Sequence, residues 1–226
     1  MTRRILIVVL CLVFLMPLSS LAKNSFPQGQ GAKYMMMSEG SPLPTYINIY
    51  ITESKFSRIG IEYFFVVGNG LFKMWQLFFM ELQDRGPLKI TEGYIQTSKM
   101  DNPEKMTREH FYQNKGVELS DFLMADNKDL KKLEVGKEKV QLKGFSVDAT
   151  KYQKQKNGQK VTFWISPKAK PLGLVKLVST GKNENHKYKL ELVGKLVGMK
   201  AHINPAKAVS LSDKGRKFLQ GPKEAS

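Results

Sequence analysis

Along most of the chain apolar and polar residues alternate with a period of two, the spacing of a strand that buries one face. In residues 46–53, Ile47, Ile49 and Ile51 fall on one side and Tyr46, Asn48, Tyr50 and Thr52 on the other. Residues 59–67 continue in β-branched and aromatic types, Gly68-Asn69-Gly70 supplies residues tolerant of positive φ, and an apolar run resumes over residues 71–82. Two apolar runs around an Asn-Gly turn predict a hairpin. Asp84 to Pro87 form a second turn signal, and residues 90–96 read as the next strand. Five more strands are predicted at 140–145, 147–153, 161–165, 172–180 and 187–197, with Gly158, Ser166-Pro167, Pro171 and residues 182–185 as turn material between them. Gly194 and Gly198 predict a bulge or bend at the end of the last strand.

The run 71–82 also fits a helical stripe through Leu71, Met74, Trp75, Phe78 and Leu82. The flanking turns favour a strand. As a strand it is apolar on both sides, with Phe72, Met74, Phe78, Met80 and Leu82 on one and Leu71, Trp75, Leu77 and Phe79 on the other. A strand of that kind lies in a layered core or lines an internal cavity.

Three regions break the pattern. Residues 23–44, rich in Gly, Ser, Pro and Gln around Met35-Met36-Met37, predict a flexible N-terminal segment. Residues 101–133 carry Pro103, Glu104 and scattered charges, and Ser120 can cap a short helix there. Residues 206–226, small, polar and basic, predict a disordered tail. No period of about 20–50 residues repeats, which removes a solenoid or propeller. The expectation is one mainly β domain over residues 45–205, an antiparallel sheet with a small helical insert.

The first 22 residues read as a secretory signal peptide: Arg3-Arg4, an apolar stretch from Ile5 to Met16, then a polar end with small residues up to Ala22. The apolar run stops at Pro17, short of the roughly 20 residues that a membrane span requires. Cys11 lies inside that run behind Leu10, where a lipid-attachment box needs a small residue. Cleavage near Ala22 would give a mature chain that starts at Lys23 and has no cysteine, hence no disulfide and no cysteine-based metal site. A chain of this length buries enough apolar surface without such staples, and a bacterial periplasm or cell surface is the expected location.

Charge is uneven. Residues 23–118 hold 11 Lys+Arg against 10 Asp+Glu, a net +1, whereas residues 119–226 hold 23 against 10, a net +13. The basic half points to an anionic neighbour such as a membrane surface or an acidic glycan. Arg216 is the one arginine among those 23, and arginine is the residue suited to bidentate base recognition, so sequence-specific nucleic-acid reading is disfavoured.

Motifs with catalytic mechanics are missing. His110, His186 and His202 stand apart, with no metal-ligand spacing, no nucleophile elbow and no phosphate-cradling loop, and no cofactor is called for. A paired-carboxylate hydrolase stays open, because acid pairs meet in space. Two features rise above this background. Phe72, Met74, Trp75, Phe78, Phe79 and Met80 would suit the wall of a cavity for an apolar ligand, as they would suit a solid β core. Lys187, Lys189 and Lys195 form a ladder opposite Tyr188, Leu190, Leu192 and Leu196, and with Lys176 they are candidates for an anionic surface or for a plain solvated face.

The stretch from Val161 to Leu177, VTFWISPKAKPLGLVKL, has a strand ending in Trp-Ile-Ser, a short turn, Pro-Leu-Gly, and a second strand beginning Val-Lys. This hairpin resembles one in bacterial periplasmic proteins of unassigned function that are similar to the lipoprotein-carrier (Lol-type) half-barrel superfamily. The resemblance implies a curved sheet or half-barrel wrapped around an apolar cavity, with a lipid or acyl-chain ligand and no catalysis. Trp164, at the end of the first strand of this hairpin, joins the ligand-binding candidates. An envelope interaction protein with a solid core is the alternative, and a hydrolase the second.

Overall fold

The computed structural model describes residues 27–55, 57–81, 89–111, 127–156, 158–169, 173–181 and 187–220. The expected signal peptide, Ser120 and His186 lie outside them. Twelve strands form one open, curved sheet: β1 (Gly31–Ser38), β2 (Thr45–Lys55), β3 (Arg58–Val67), β4 (Phe72–Glu81), β5 (Lys89–Thr97), β6 (Glu104–Lys105), β7 (Glu134–Leu142), β8 (Phe145–Lys156), β9 (Gln159–Ile165), β10 (Leu174–Thr180), β11 (Tyr188–Leu196) and β12 (Val209–Ser210). Among the described residues two short α-helices accompany them, α1 (Asn127–Lys132) and α2 (Asp213–Gln220). The order across the sheet is β12-β6-β5-β4-β3-β2-β1-β11-β10-β9-β8-β7, antiparallel throughout except for the β12–β6 pair.

Within the run 71–82 the described residues Phe72–Glu81 form a strand, Leu82 lying outside the described residues, and the strand's partners explain why the tight turn wins over the helical stripe. Gly68, Asn69 and Gly70 all take positive φ, and β3 and β4 then pair from Val67↔Phe72 to Arg58↔Glu81 without a slip. The predicted strand 140–145 straddles a turn instead: Gly144 takes φ +87°, β7 ends at Leu142, and β8 starts at Phe145.

The segment expected to be flexible, residues 23–44, contains β1, which is hydrogen-bonded on both sides at the middle of the sheet. Its period-two pattern is real: Ala32, Tyr34 and Met36 are buried between Ile47 and Ile49 of β2 and Leu190 and Leu192 of β11. Gly and Ser flank this strand without interrupting it, and composition alone hid it. The expected disordered tail is likewise structured up to Gln220. It contributes β12 and α2, because Leu211 and Leu219 join the core.

One face of the sheet, here the inner face, carries Tyr34, Met36, Ile47, Ile49, Ile61, Tyr63, Phe65, Met74, Phe78, Phe163, Leu177 and Leu190 in a single apolar cluster. That cluster draws on strands from both halves, as a sheet curling around it requires, and β7 curls back into contact with β11. Bulges at Thr52, Thr91, Val175 and Val193 accompany this curvature. The bulge beside Gly194 meets the sequence expectation.

Candidate functional site

Strand β4 divides the candidate residues between two faces. Phe72, Met74, Phe78 and Met80 lie on the inner face, with Met74 fully buried and Phe72 stacked on Phe218 of α2 at 5.6 Å. Trp75 and Phe79 lie on the outer face with Leu77. Trp75 is held between the Phe64 ring at 4.8 Å and the His202 ring at 3.9 Å. Phe79 sits under the Arg58 guanidinium at 3.8 Å and packs edge-on against Tyr94. Trp164, opposite Lys176 on β10 and Lys151 on β8, is also on the outer face; both ammonium groups lie 5.2 Å from its ring, and its N–H donates to Glu138. The seven residues therefore do not form one wall. The sheet separates Trp75 and Phe79, which pack in a cluster of their own, from the interior, whereas Trp164 is buried in contact with the main apolar cluster.

The outer face of β3–β5 is closed by a strap of residues 197–208 leaving β11. Its anchor is Glu62, fully buried on β3, which accepts from the Tyr50 hydroxyl and from the backbone N–H groups of His202 and Ile203, both at 2.9 Å. Ile203 then packs against Leu77, Phe79 and Tyr94. At its start the strap is tied by Met199 N–H to the Gly29 carbonyl, 3.0 Å away. Beyond the strap, β12 pairs with β6, and the chain turns onto the inner face. There Glu104, opposite Ile95, accepts from Ser212 N–H at 2.9 Å and from its hydroxyl at 2.6 Å, fixing the start of α2. Sequence reasoning missed both carboxylates. Glu62 occupies a polar position of the alternation between Ile61 and Tyr63, and Glu104 lies in the region read as irregular, so neither stood out.

The inner face is apolar but for a few groups. Tyr34 donates to the Leu174 carbonyl across 3.1 Å; burial, reinforced by Tyr63, holds its hydroxyl far above the usual phenol range. Gln159 donates to Ser179 at 2.8 Å. Gln76 sits between Met74 and Phe78 along β4, with Tyr63 and Ile95 directly across from it on β3 and β5. It is fully buried, and neither amide atom has a hydrogen-bond partner among the described residues.

The lysine ladder is split by the β11 bulge. Lys189 lies opposite Met37 on the outer face, while the extra residue at Val193 places Lys195 opposite Ala32, on the inner side and exposed. Lys189 and Lys176 share Glu191 at 2.8 and 3.6 Å, and Lys187 pairs with Glu39 at 3.0 Å. Carboxylates thus offset part of the positive field of three of the four candidates.

Among the described residues no group of three or more His, Cys, Asp or Glu gathers at a metal-binding distance, and no helix is long and apolar enough to cross a membrane. His110 shares a hydrogen bond of 2.6 Å with Thr107.

No family model and no curated protein matches the chain. Among solved structures the chain is similar to a DUF1329 family protein from Desulfovibrio piger, with 10% identity and a TM-score of 0.39, over 86% of this chain and 92% of that one. It is similar to MucB with 10% identity and a TM-score of 0.35, over 81% of this chain and 58% of that one. Against PNGF-II the identity is 13% and the TM-score 0.34, over 85% of this chain and 33% of that one. The chain thus spans little more than half the length of MucB and a third of PNGF-II.

Proposed function

We propose that this chain is an exported, non-enzymatic binding or carrier protein, and that it holds a hydrophobic ligand, a lipid or an acyl chain, against the inner face of its sheet. The observation that carries the reading is that inner face. It is a largely apolar wall from Ile95 on β5 to Phe163 on β9, with Gln76 as a buried polar residue within it. Among the described residues its helical cover is α1 and α2, six and eight residues long. Concave, mostly apolar surfaces with few polar groups are where small hydrophobic ligands bind, and Met36, Met74, Met80 and Met106 give this one side chains that adapt to varied hydrocarbon shapes. The outer face is already occupied by the strap and by paired charges. Lysines of the second half add a weak, salt-sensitive attraction to an anionic membrane or acidic glycan. Export rests on the tripartite N-terminus.

Native mass spectrometry and lipid extraction of protein purified from the cell envelope without detergent test the reading. Co-purifying lipid at a defined stoichiometry is the expected result. Lipid-free protein that also takes up no added lipid would overturn it in favour of a scaffold with a solid core.

A further inference from the structure

Within that reading, Gln76 carries information about the ligand. Leaving an amide unpaired in an apolar interior is costly, and a buried group without a partner calls for an explanation. This one stands at the middle of the wall: β4 is flanked on both sides by paired strands, and the neighbours of Gln76 on that face are Tyr63, Ile95, Met74 and Phe78. Both its carbonyl oxygen and its amino group are unpaired among the described residues. The complement therefore both accepts and donates a hydrogen bond. None of those four neighbours is charged, so an ionised head group would lie there without a counter-charge, at a large desolvation cost.

We infer that Gln76 is a specificity-determining residue, which pairs with an uncharged hydroxyl or protonated carboxyl group on an otherwise apolar chain held in the interior. The inference rests on the hydrophobic-ligand reading and narrows it to amphiphiles whose polar group is uncharged. A plain hydrocarbon would leave both amide atoms unpaired, and a phosphate head group would be excluded from this position. A single internal water bridging the amide is the competing explanation, since such waters satisfy buried polar groups in many proteins.

The test compares dodecanol with dodecane, each delivered from cyclodextrin to the delipidated protein, by calorimetric titration for the parent and for Gln76→Leu. The parent should prefer dodecanol over dodecane by on the order of tenfold more than Gln76→Leu does, because the alcohol completes hydrogen bonds that only the parent offers. Gln76→Leu should bind dodecane at least as well as the parent, and without ligand it should melt no lower, since it removes a polar group that has no partner. Equal dodecanol-to-dodecane ratios in the two proteins, with both ligands bound, would overturn the role of Gln76 and leave a water-filled explanation. Failure of the parent to bind either ligand would overturn the hydrophobic-ligand reading as well.

Discussion

Trp75 and His202 stack with their ring centroids 3.9 Å apart and their planes 12° from parallel, although 127 positions separate them in the chain (202 − 75 = 127). The stack exists because Glu62, on the adjacent strand, accepts the backbone N–H groups of His202 and Ile203 and so fixes the path of the strap over the outer face. This places Trp75 and Phe79, two of the β4 residues that the sequence offered as a cavity wall, under a covering of the chain's own making, and leaves the inner face as the surface to consider for a ligand.

Removing the Glu62 carboxylate should release the strap. Glu62→Ala leaves the Tyr50 hydroxyl and two backbone donors without their acceptor, and a buried charged acceptor of this kind is worth about 3 kcal/mol. Glu62→Gln keeps the volume and one acceptor, so its cost should be smaller. Denaturant midpoints give the energies, and limited trypsin digestion at Lys200 and Lys207 reports the strap. If Glu62→Ala kept both the parent midpoint and the parent cleavage rate, the clasp would not be what holds the segment down.

The two faces of β4 should separate in a mutational comparison. Phe79→Ala, on the outer face beneath Arg58, should cost about 3–5 kcal/mol and leave the lipid content of the purified protein unchanged. On the carrier reading, Phe78→Ala, on the inner face, should cost the lipid-free protein less, because truncation there would enlarge a ligand space, and should lower the co-purifying lipid. Core-sized losses at both positions with no change in lipid would speak for a solid interior.

Period-two alternation was enough to read most of the strands, because each residue's face follows from local geometry alone, while the doubly covered β4 was read from the turns that flank it. What alternation cannot report is which strands pair at long range. The central position of β1 depends on β11, more than 150 residues away, and the Gly, Ser and Pro around it look like linker. The same limit explains the candidate site. Trp75 and Phe79 were visible as a buried apolar pair, but the strap that covers them comes from a different part of the chain. The Val193 bulge likewise moved Lys195 off the face of Lys189 with only Gly194 as a sequence signal. Gln76 was legible in principle, as the one polar residue in the alternation Met74, Gln76, Phe78.

The seating of α2 should be sensitive to a single methyl group. A Cβ at Gly215 would lie 2.0 Å from Glu104 Oε2 and 2.8 Å from Leu211 Cδ1, so Gly215→Ala forces the helix away from the carboxylate that holds its capping residue Ser212. Amide hydrogen exchange should then rise across α2 while the amides of β2 and β3 keep their protection. Lipid retention should fall if α2 covers the interior. Unaltered exchange in α2 would show that the helix accommodates the methyl group in place.

Stability should fall steeply at alkaline pH, and the sign follows from the tyrosines. Burial first, and then a hydrogen bond to Glu92 and that residue's negative charge, push the Tyr94 hydroxyl up to about 12. Burial, followed by the charge of Glu62 and its hydrogen bond, raises Tyr50 further, and burial with Tyr63 raises Tyr34. In the unfolded chain these groups ionise near pH 10. Their contribution is therefore fully present below about pH 10. Above it the unfolded state gives up protons that the folded state retains, and the contribution is lost as pH rises through the folded values. A fully buried tyrosine such as Tyr34 lowers stability by about 1.4 kcal/mol per pH unit within that window, and the others by less where solvent screens them. Denaturant midpoints should hold from about pH 7 to pH 9 as far as the tyrosines are concerned and then decline, while the tyrosinate absorbance of the native protein should lag behind that of the denatured chain. Glu62→Gln removes the charge that helps raise Tyr50, so its native titration should move toward the denatured curve and its alkaline decline should be shallower than the parent's. A native titration curve that overlays the denatured one would mean that these hydroxyls are reached by solvent, and that the packing around Tyr34 and Tyr50 is looser than described.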